Sequence, residues 1–325
     1  MSCLKGFKVQ SAFIDPPVVL APLAGFTDSP FRRIVKEFSA GLTYTEMVSS
    51  MGVYFKDKKT LELLHFEKEE RPIAAQIFGH DPDSMAYTAK YIEELSFDIL
   101  DINVGCPTPK IVNSGAGGSL LKNLNLLETI LVKVKRAVKI PVTIKARKGF
   151  ARDENVLSEV LKIAEGSGID AITIHGITVE EGFRKNCEDW PSIREIASKA
   201  RIPVIANGGV AKEEDVEKMF IETGASGVMV GRPVLQRPWF IKSSVEYIEK
   251  KSFFDISLEA KMNIILRHAE LEIEQKGEER AIIEMRKFVI HYVNGLRNAS
   301  YVKQKINTIK TYRELESLIR AFFVC

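Results

Sequence analysis

The sequence lacks long hydrophobic runs, and this absence excludes one class of protein. No apolar stretch approaches the roughly 18–20 residues that a membrane-spanning helix needs. The first residues, MSCLKGFKVQSAF, also lack the long apolar core of a signal peptide. We therefore predict a protein of the cytoplasm that has no membrane partner.

Cysteine is scarce and scattered along the chain. The four cysteines form no CxxC pair, and the five histidines do not join them at the short spacings that zinc sites use. We therefore predict neither a bound metal nor a disulfide framework. These residues are Cys3, Cys106, Cys187, Cys325, His65, His80, His175, His268 and His291.

Acidic residues are absent from one stretch near the carboxyl end. The chain of 325 residues has a net charge of only +3, and the whole excess falls within residues 241–325. Within that region, the stretch 286–312 contains basic residues and no acidic ones. Such a stretch favours either a nucleic-acid contact or an ordinary solvated helix face. Its basic residues are Arg286, Lys287, Arg297, Lys303, Lys305 and Lys310.

Eight short apolar runs alternate with segments of helical period up to residue 240. Continuous apolar strands between amphipathic helices indicate a parallel sheet, and eight of them in this length predict a (β/α)8 TIM barrel. An open doubly wound sheet is the alternative, but the first run ends in APLAGFTDSP and lacks the GxGxxG turn of that fold. The predicted strands are residues 18–22, 42–47, 72–78, 99–103, 142–147, 171–176, 203–209 and 227–232.

The pattern changes to helices alone after residue 240. Apolar residues recur at helical spacing in 257–277, 281–296 and 312–323. We therefore predict two domains, a barrel over residues 1–240 and a small all-α helical bundle over residues 241–325.

The chemistry of a TIM barrel is built at the carboxyl ends of its strands, so the residues found there are the candidates for a site. IANGGV and MVGRPV place glycines in the loops after the seventh and eighth strands, the usual phosphate position of this fold. The alternative is that these glycines only form turns. The strand-end candidates are Pro22, Leu23, Ala24, Gln76, Asn103, Cys106, Lys145, Arg147, His175, Asn207, Gly208, Gly209, Gly231 and Arg232.

Two of these residues favour the phosphate-bearing cofactor FMN. A flavin ring needs hydrogen bonds along its edges and a cation near N1, which Gln76 and Lys145 could supply from inside the barrel. A structural ion pair between Lys145 and Glu46 is the alternative. His175 could likewise be a core histidine whose hydrogen bonds are satisfied.

Taken together, these residues resemble the tRNA-dihydrouridine synthase family. DINVGCPTPKIVNSGAGGSLL at 101–121 is the most specific match, and the resemblance runs in order through residues 18–240. The other matching segments are APLAGFTDSPFR at 21–32, TEM at 45–47, QIFG at 76–79, IKARKG at 144–149, IHG at 174–176, NGGV at 207–210 and GR at 231–232.

The resemblance implies reduction of the C5=C6 bond of uridines in tRNA, with FMN and with NADPH as electron donor. By similarity, Asn103 and Arg147 contact the substrate, and Cys106 is the catalytic acid that gives a proton to C5. An ordinary thiol has a pKa near about 8.5 and is protonated at neutral pH, which suits this role. The residues that would hold FMN are Pro22, Leu23, Ala24, Gln76, Lys145, His175, Asn207, Gly208, Gly209, Gly231 and Arg232.

Two further expectations concern the loops of the site. Gly115, Gly117 and Gly118 would let the loop that carries Cys106 close over the substrate. The chain departs from the family after IHG, because Ile177 and Val179 stand where family members often have arginines.

Two other functions remain compatible with the residues. One is an FMN barrel that acts on a small molecule, of the dihydroorotate dehydrogenase or ene-reductase type. The other is an RNA-binding protein that has lost catalysis, which the intact Cys106 and Lys145 argue against. Cys106 itself could also be only a small buried hydrophobe. The helical domain and its basic stretch favour tRNA as the partner, and we expect a monomer.

Overall fold

Eleven strands form within residues 4–184 and 188–324, the parts of the chain that the computed structural model describes. The first two make an antiparallel hairpin, and the other nine make a parallel sheet that curves into a barrel. The strands are β1 (Phe7–Val9), β2 (Ala12–Ile14), β3 (Val18–Leu20), β4 (Thr43–Tyr44), β5 (Val48–Ser49), β6 (Ile73–Phe78), β7 (Ile99–Val104), β8 (Val142–Arg147), β9 (Ala171–His175), β10 (Val204–Asn207) and β11 (Gly227–Val230).

The barrel closes where β3 meets the start of β4. The sheet runs in the order β3-β11-β10-β9-β8-β7-β6-β4, and two backbone hydrogen bonds join its ends. The Leu20 N–H donates to the Leu42 carbonyl at 2.9 Å, and the Gly41 N–H donates to the Val18 carbonyl at 3.0 Å. This topology confirms the predicted TIM barrel.

The second barrel strand is interrupted, whereas the sequence predicts one continuous strand over 42–47. β4 and β5 both pair with β6, and Thr45 lies between them. The Thr45 hydroxyl accepts a hydrogen bond from the Gln76 N–H at 3.0 Å and so replaces a strand carbonyl in the ladder. The break leaves Glu46 and Met47 outside the regular strand, at the rim of the barrel.

Fifteen α-helices and three short 3₁₀ segments surround the barrel and extend beyond it within the described residues. The helices are α1 (Ser29–Lys36), α2 (Ser50–Tyr54), α3 (Lys58–Glu62), α4 (Pro82–Glu94), α5 (Pro109–Asn113), α6 (Leu124–Ala137), α7 (Leu157–Gly166), α8 (Trp190–Lys199), α9 (Glu213–Thr223), α10 (Arg232–Gln236), α11 (Phe240–Lys250), α12 (Leu258–Lys276), α13 (Glu278–Tyr292), α14 (Ala299–Lys305) and α15 (Tyr312–Val324). The 3₁₀ segments are Lys68–Glu70, Gly117–Lys122 and Ile306–Thr308. None of these helices combines the length and apolar character of a membrane span.

The hairpin β1–β2 packs against the interior of the barrel. Val9 and Ile14 from the hairpin are buried with Val19, Tyr44 and Met229 of the barrel strands. The sequence analysis does not predict this hairpin, because three-residue strands carry too little alternation to be recognised. These contacts fill the interior with apolar side chains away from the carboxyl ends of the strands.

The helices after the barrel form a bundle that docks on one side of it. α12 packs against α13, α15 and α1, and α13 also packs against α10. The predicted helices at 257–277, 281–296 and 312–323 correspond to α12, α13 and α15, which confirms a helical carboxyl-terminal region. The boundary between residues 240 and 241 stays a prediction; α11 begins at Phe240 and packs against the barrel helix α9.

Candidate active site

A cavity of about 470 Å³ opens at the carboxyl ends of the barrel strands. Its volume lies in the range of about 300–1,000 Å³ that is usual for small-molecule and cofactor sites. All fourteen strand-end candidates line it: Pro22, Leu23, Ala24, Gln76, Asn103, Cys106, Lys145, Arg147, His175, Asn207, Gly208, Gly209, Gly231 and Arg232. The barrel therefore brings together all fourteen strand-end candidates, while the role of each stays a prediction.

The charged side chains around this cavity share one sign. Among the described lining residues, Lys145, Arg147, Arg184 and Arg232 are basic, and none is an aspartate or glutamate. A concave surface that presents several cations favours an anionic ligand.

Lys145 on β8 lies deep in this cavity and is held by an amide on β10, two strands away. Its ammonium donates to Asn207 Oδ1 at 2.9 Å, and Asn207 Nδ2 donates to the Met229 carbonyl at 2.9 Å, which fixes the orientation of the amide. The alternative of an ion pair with Glu46 is wrong: the Lys145 ammonium bonds Asn207 instead, and Glu46 lines a separate cavity, where it accepts from the Gly25 N–H. Burial and then the neighbouring Arg147 lower the pKa of Lys145 to about 8.

His175 stands beside the glycine loop that follows β10. Burial and then the neighbouring cations lower the pKa of His175 well below its ordinary value, so the ring is neutral at neutral pH. Gly208 has a φ of +106°, and a Cβ there would lie 2.6 Å from His175 Cδ2. Only glycine therefore allows this backbone to approach the imidazole so closely.

The loop after β7 fixes the position of Cys106. Asn103 Oδ1 accepts hydrogen bonds from the backbone N–H groups of Gly105 at 3.1 Å and Cys106 at 2.9 Å. The Cys106 thiol lies 3.3 Å from Thr108 Oγ1. Cys106 is 9% exposed and also packs against Ile111, so it is mostly buried but lines the cavity.

The glycines after this loop pack closely against it. Gly117 and Gly118 open a 3₁₀ segment, and the Gly118 N–H donates to the Cys106 carbonyl at 3.1 Å. A Cβ at Gly118 would lie 2.5 Å from a methyl of Val179, and one at Gly117 would lie 2.8 Å from a methyl of Ile111. The two glycines permit close packing beneath the thiol, and closure of the loop over the substrate stays a prediction.

The two residues that depart from the family pattern are buried apolar side chains. Ile177 and Val179 are buried, at 1% and 5% exposure, and Ile177 lines the cavity. The Thr178 carbonyl between them accepts a hydrogen bond from Arg147 Nη1 at 2.6 Å. Arg184 on the same loop also lines the cavity. Arg184 is not among the residues predicted from the sequence. Its basic side chain, nine positions after His175, is the feature that could have indicated it.

A buried polar cluster joins the rim of the cavity to the helical bundle. Asp28, His268 and Glu272 place one donor atom each within 4.8 Å of one another, an arrangement that could hold a cation. The Lys276 ammonium already lies 2.6 Å from Asp28 Oδ2 and 2.7 Å from Glu272 Oε2, and it also contacts Glu284. The cluster therefore has its own counter-charge, and the absence of a metal stays a prediction.

The basic stretch 286–312 divides into bonded and exposed residues. Arg286 donates to the Ile309 carbonyl at 2.7 Å, and Lys303 donates to Asn294 Oδ1 at 2.8 Å. The remaining basic side chains include three exposed ones, Arg297, Lys305 and Lys310.

Helix α13, whose second half overlaps the basic stretch, contacts the wall of the cavity through aromatic side chains. Phe26 lines the cavity and packs edge-on against Phe288 and His291 of α13. The helical bundle is thus in direct contact with the wall of the site.

The structure describes one of the four cysteines in detail. Cys106 is a free thiol. Cys3, Cys187 and Cys325, which the sequence analysis counts when it predicts no disulfide framework, lie outside the described residues.

The closed parallel barrel, with a cavity that presents basic side chains at the carboxyl ends of its strands, defines a TIM-barrel protein with a site in the position usual for enzymes of this fold. A family model described as Dihydrouridine synthase (Dus) matches residues 19–324. The chain belongs to the dihydrouridine synthase family, which confirms the resemblance seen in the sequence.

Curated relatives match nearly the whole chain. tRNA-dihydrouridine synthase B of Pasteurella multocida is 38% identical over 318 residues, covering 97% of this chain and 95% of that protein. tRNA-dihydrouridine synthase B of Pseudomonas aeruginosa is 35% identical over 309 residues, covering 94% and 92%. The probable tRNA-dihydrouridine synthase of Aquifex aeolicus is 34% identical over 302 residues, covering 92% and 93%.

Solved structures support the fold. A morphinone reductase mutant in complex with tetrahydroNAD superposes with a TM-score of 0.56 at 11% identity, covering 80% of this chain and 93% of that one. Histamine dehydrogenase from Rhizobium sp. 4-9 gives a TM-score of 0.59 at 14% identity, covering 83% and 51%. At such low identity these matches speak only for the barrel architecture.

Proposed function

We propose that this protein is a tRNA-dihydrouridine synthase that reduces the C5=C6 bond of uridines in tRNA, with FMN as cofactor and NADPH as electron donor. The proposal rests on one observation. In this member of the dihydrouridine synthase family, the charged residues that line the cavity are basic, and the Cys106 thiol lies among them. The net reaction adds a hydride to C6 and a proton to C5, and NADPH becomes NADP⁺.

The residues of the cavity fit FMN. The cationic Arg232 and the N–H groups around Gly208, Gly209 and Gly231 suit a phosphate. Lys145 supplies a cation, and Gln76, His175 and Asn207 supply hydrogen-bonding groups, for the edge of a flavin ring. Pro22, Leu23 and Ala24 provide the apolar wall. When bound, FMN would supply the hydride that reduces C6.

Cys106 is the proposed general acid. Negative charge develops at C5 and O4 of the uracil as C6 is reduced, so a proton must be delivered to C5. The thiol lines the cavity, and its backbone is held by Asn103, which is proposed to contact the uracil together with Arg147. Positioned in this way, Cys106 gives its proton to C5 and is left as a thiolate that solvent reprotonates.

The tRNA is proposed to bind across the helical bundle and the mouth of the cavity. Arg297, Lys305 and Lys310 are exposed and can contact phosphates. A base must leave its stack to enter the cavity, and this costs only a few kcal/mol for a loosely paired loop base. A monomer in the cytoplasm would suffice for this activity.

The test is an anaerobic half-reaction. The bound flavin is reduced with NADPH, unmodified tRNA is added, and the flavin absorbance is followed. We expect reoxidation by tRNA and none by free uridine or orotate. A flavin that stays reduced with tRNA but is oxidised by orotate would replace the proposal by the small-molecule alternative, and a protein that binds no flavin would contradict both.

A further inference from the structure

Four side chains form one hydrogen-bonded series below the proposed flavin and uracil positions. The series arises from strand register, because Gln76 lies opposite Asp101 and Asp101 lies opposite Thr143 on neighbouring strands. Asn103 is two residues further along β7 and therefore points to the same interior face, one layer nearer the mouth. All four side chains are at least 90% buried.

Every hydrogen bond in this series points towards Asp101. Thr143 Oγ1 donates to Asp101 Oδ1 at 2.6 Å, and Gln76 Nε2 donates to Asp101 Oδ2 at 2.7 Å. Asn103 Nδ2 in turn donates to Gln76 Oε1 at 2.9 Å. The series ends with the backbone N–H groups of Gly105 and Cys106, which donate to Asn103 Oδ1.

The direction of these bonds determines how both amides can act. An ionised carboxylate only accepts hydrogen bonds, so Gln76 must turn its NH₂ group towards Asp101. Its carbonyl oxygen then faces Asn103, which must turn its own NH₂ group towards Gln76. Each amide keeps one unused N–H, so both can offer a donor, and a donor on Asn103 suits a carbonyl oxygen of a uracil but opposes the amino group of a cytosine.

We infer that Asp101 is a positioning residue, whose carboxylate orients the amides of Gln76 and Asn103 as donors and thereby holds the loop that carries Cys106. The inference rests on the proposed function for the identity of the ligands, but the orientation of the two amides follows from the hydrogen bonds alone.

The burial of Asp101 supports this role. Asp101 is 0% exposed, and its two hydrogen-bond donors, Gln76 and Thr143, are both neutral. Burial raises the pKa of this carboxyl to about 6, so the chain keeps an acid at a position where its ionised form is disfavoured. A purely structural position in the barrel interior would be filled at lower cost by an apolar side chain.

The test compares Asp101→Ala with Asp98→Ala, which removes a carboxylate just before the same strand. An alanine at 101 removes both acceptors, whereas an asparagine could still accept from Gln76 and donate to the Thr143 hydroxyl. We expect FMN affinity to fall on the order of 10-fold in Asp101→Ala, as for the loss of one hydrogen bond. We also expect the alkylation rate of Cys106 by iodoacetamide in flavin-free protein, read by peptide mass spectrometry, to change at least about threefold, and Asp98→Ala to leave both unchanged.

A milder pair of variants protects the test against misfolding. Thr143→Val removes one donor to Asp101 with little change in shape, whereas Thr143→Ser keeps it. We expect the first to shift FMN affinity and Cys106 alkylation in the same direction as Asp101→Ala and the second to match the wild type.

The inference is overturned if folded Asp101→Ala, or Thr143→Val where the first variant does not fold, keeps wild-type values for both readouts. It is also overturned if Asp98→Ala changes them equally. Neither readout uses tRNA, so a wild type that fails to reduce tRNA would contradict the proposed function without contradicting this inference. If the wild type binds no flavin, the alkylation rate of Cys106 alone tests the inference.

Discussion

Replacing Lys145 with methionine should lower the affinity for the proposed cofactor while leaving the free energy of unfolding at pH 7 nearly unchanged. Burial lowers the pKa of Lys145 from 10.5 to about 8 in the folded chain. Between these values the unfolded chain holds more protons than the folded one, so the free energy of unfolding rises with pH through this window. At pH 7 the buried ammonium lowers that free energy by about 3 kcal/mol, an upper figure because water reaches the side chain through the cavity mouth.

The variant removes this penalty but leaves Asn207 Oδ1 without its donor, which costs about 1–3 kcal/mol. The two effects nearly cancel, so Lys145→Met should be about as stable as the wild type at pH 7. Raising the pH from 7 to 9 should stabilise the flavin-free wild type by about 1.3 kcal/mol more than the variant, because only the wild type loses a proton from Lys145. FMN affinity should fall by about 10- to 100-fold with the loss of one charge-assisted hydrogen bond.

The assay is urea unfolding of flavin-free protein at pH 7 and pH 9, together with FMN titration at pH 7. Lys139→Met, which changes an exposed lysine, is the matched control and should behave as the wild type. An equal pH response in wild type and Lys145→Met would refute the depressed pKa, and unchanged FMN affinity would refute the contact with the cofactor.

Three further substitutions test other parts of the site. Cys106→Ala should keep FMN and tRNA binding but lower the single-turnover rate of uridine reduction by about 100-fold or more, the usual contribution of a general acid; full dihydrouridine formation would exclude that role. Gly208→Ala should place a methyl group 2.6 Å from His175 Cδ2 and abolish FMN binding in an equilibrium titration, and retained affinity would show that the loop can move away. Lys276→Met should lower the free energy of unfolding by about 3–5 kcal/mol in urea, because Asp28 and Glu272 lose their shared cation; a loss below about 1 kcal/mol would mean that water replaces the ammonium.

The barrel and the membership of its site could be predicted because both depend on local signals. Strands buried on two faces are continuous apolar runs, and the carboxyl ends of parallel strands meet at one edge whatever their exact register. Gln76, Lys145 and Asn207 could therefore be grouped from their places at strand ends alone.

The connections among those residues could not be predicted, because they depend on register and on distant segments. Asp101 lies beside Gln76 and Thr143 only because three strands are aligned in one layer. Lys276 reaches Asp28 across 248 positions of the chain, and no spacing in the sequence encodes that contact. The split of the second strand likewise depends on one hydroxyl of Thr45 that replaces a backbone carbonyl.

The three carboxylates around Lys276 belong to three elements: the loop before α1, helix α12 and helix α13. A displacement of the bundle relative to the cavity rim would separate at least one of these charges from the ammonium, so the two parts should move as one rigid body. Under the proposed function, the protein would then hold the tRNA surface bound by the bundle at a fixed distance from the base bound in the cavity. The choice among uridines would then depend on the geometry of the RNA, and Asn103 would contribute the preference for uracil over cytosine.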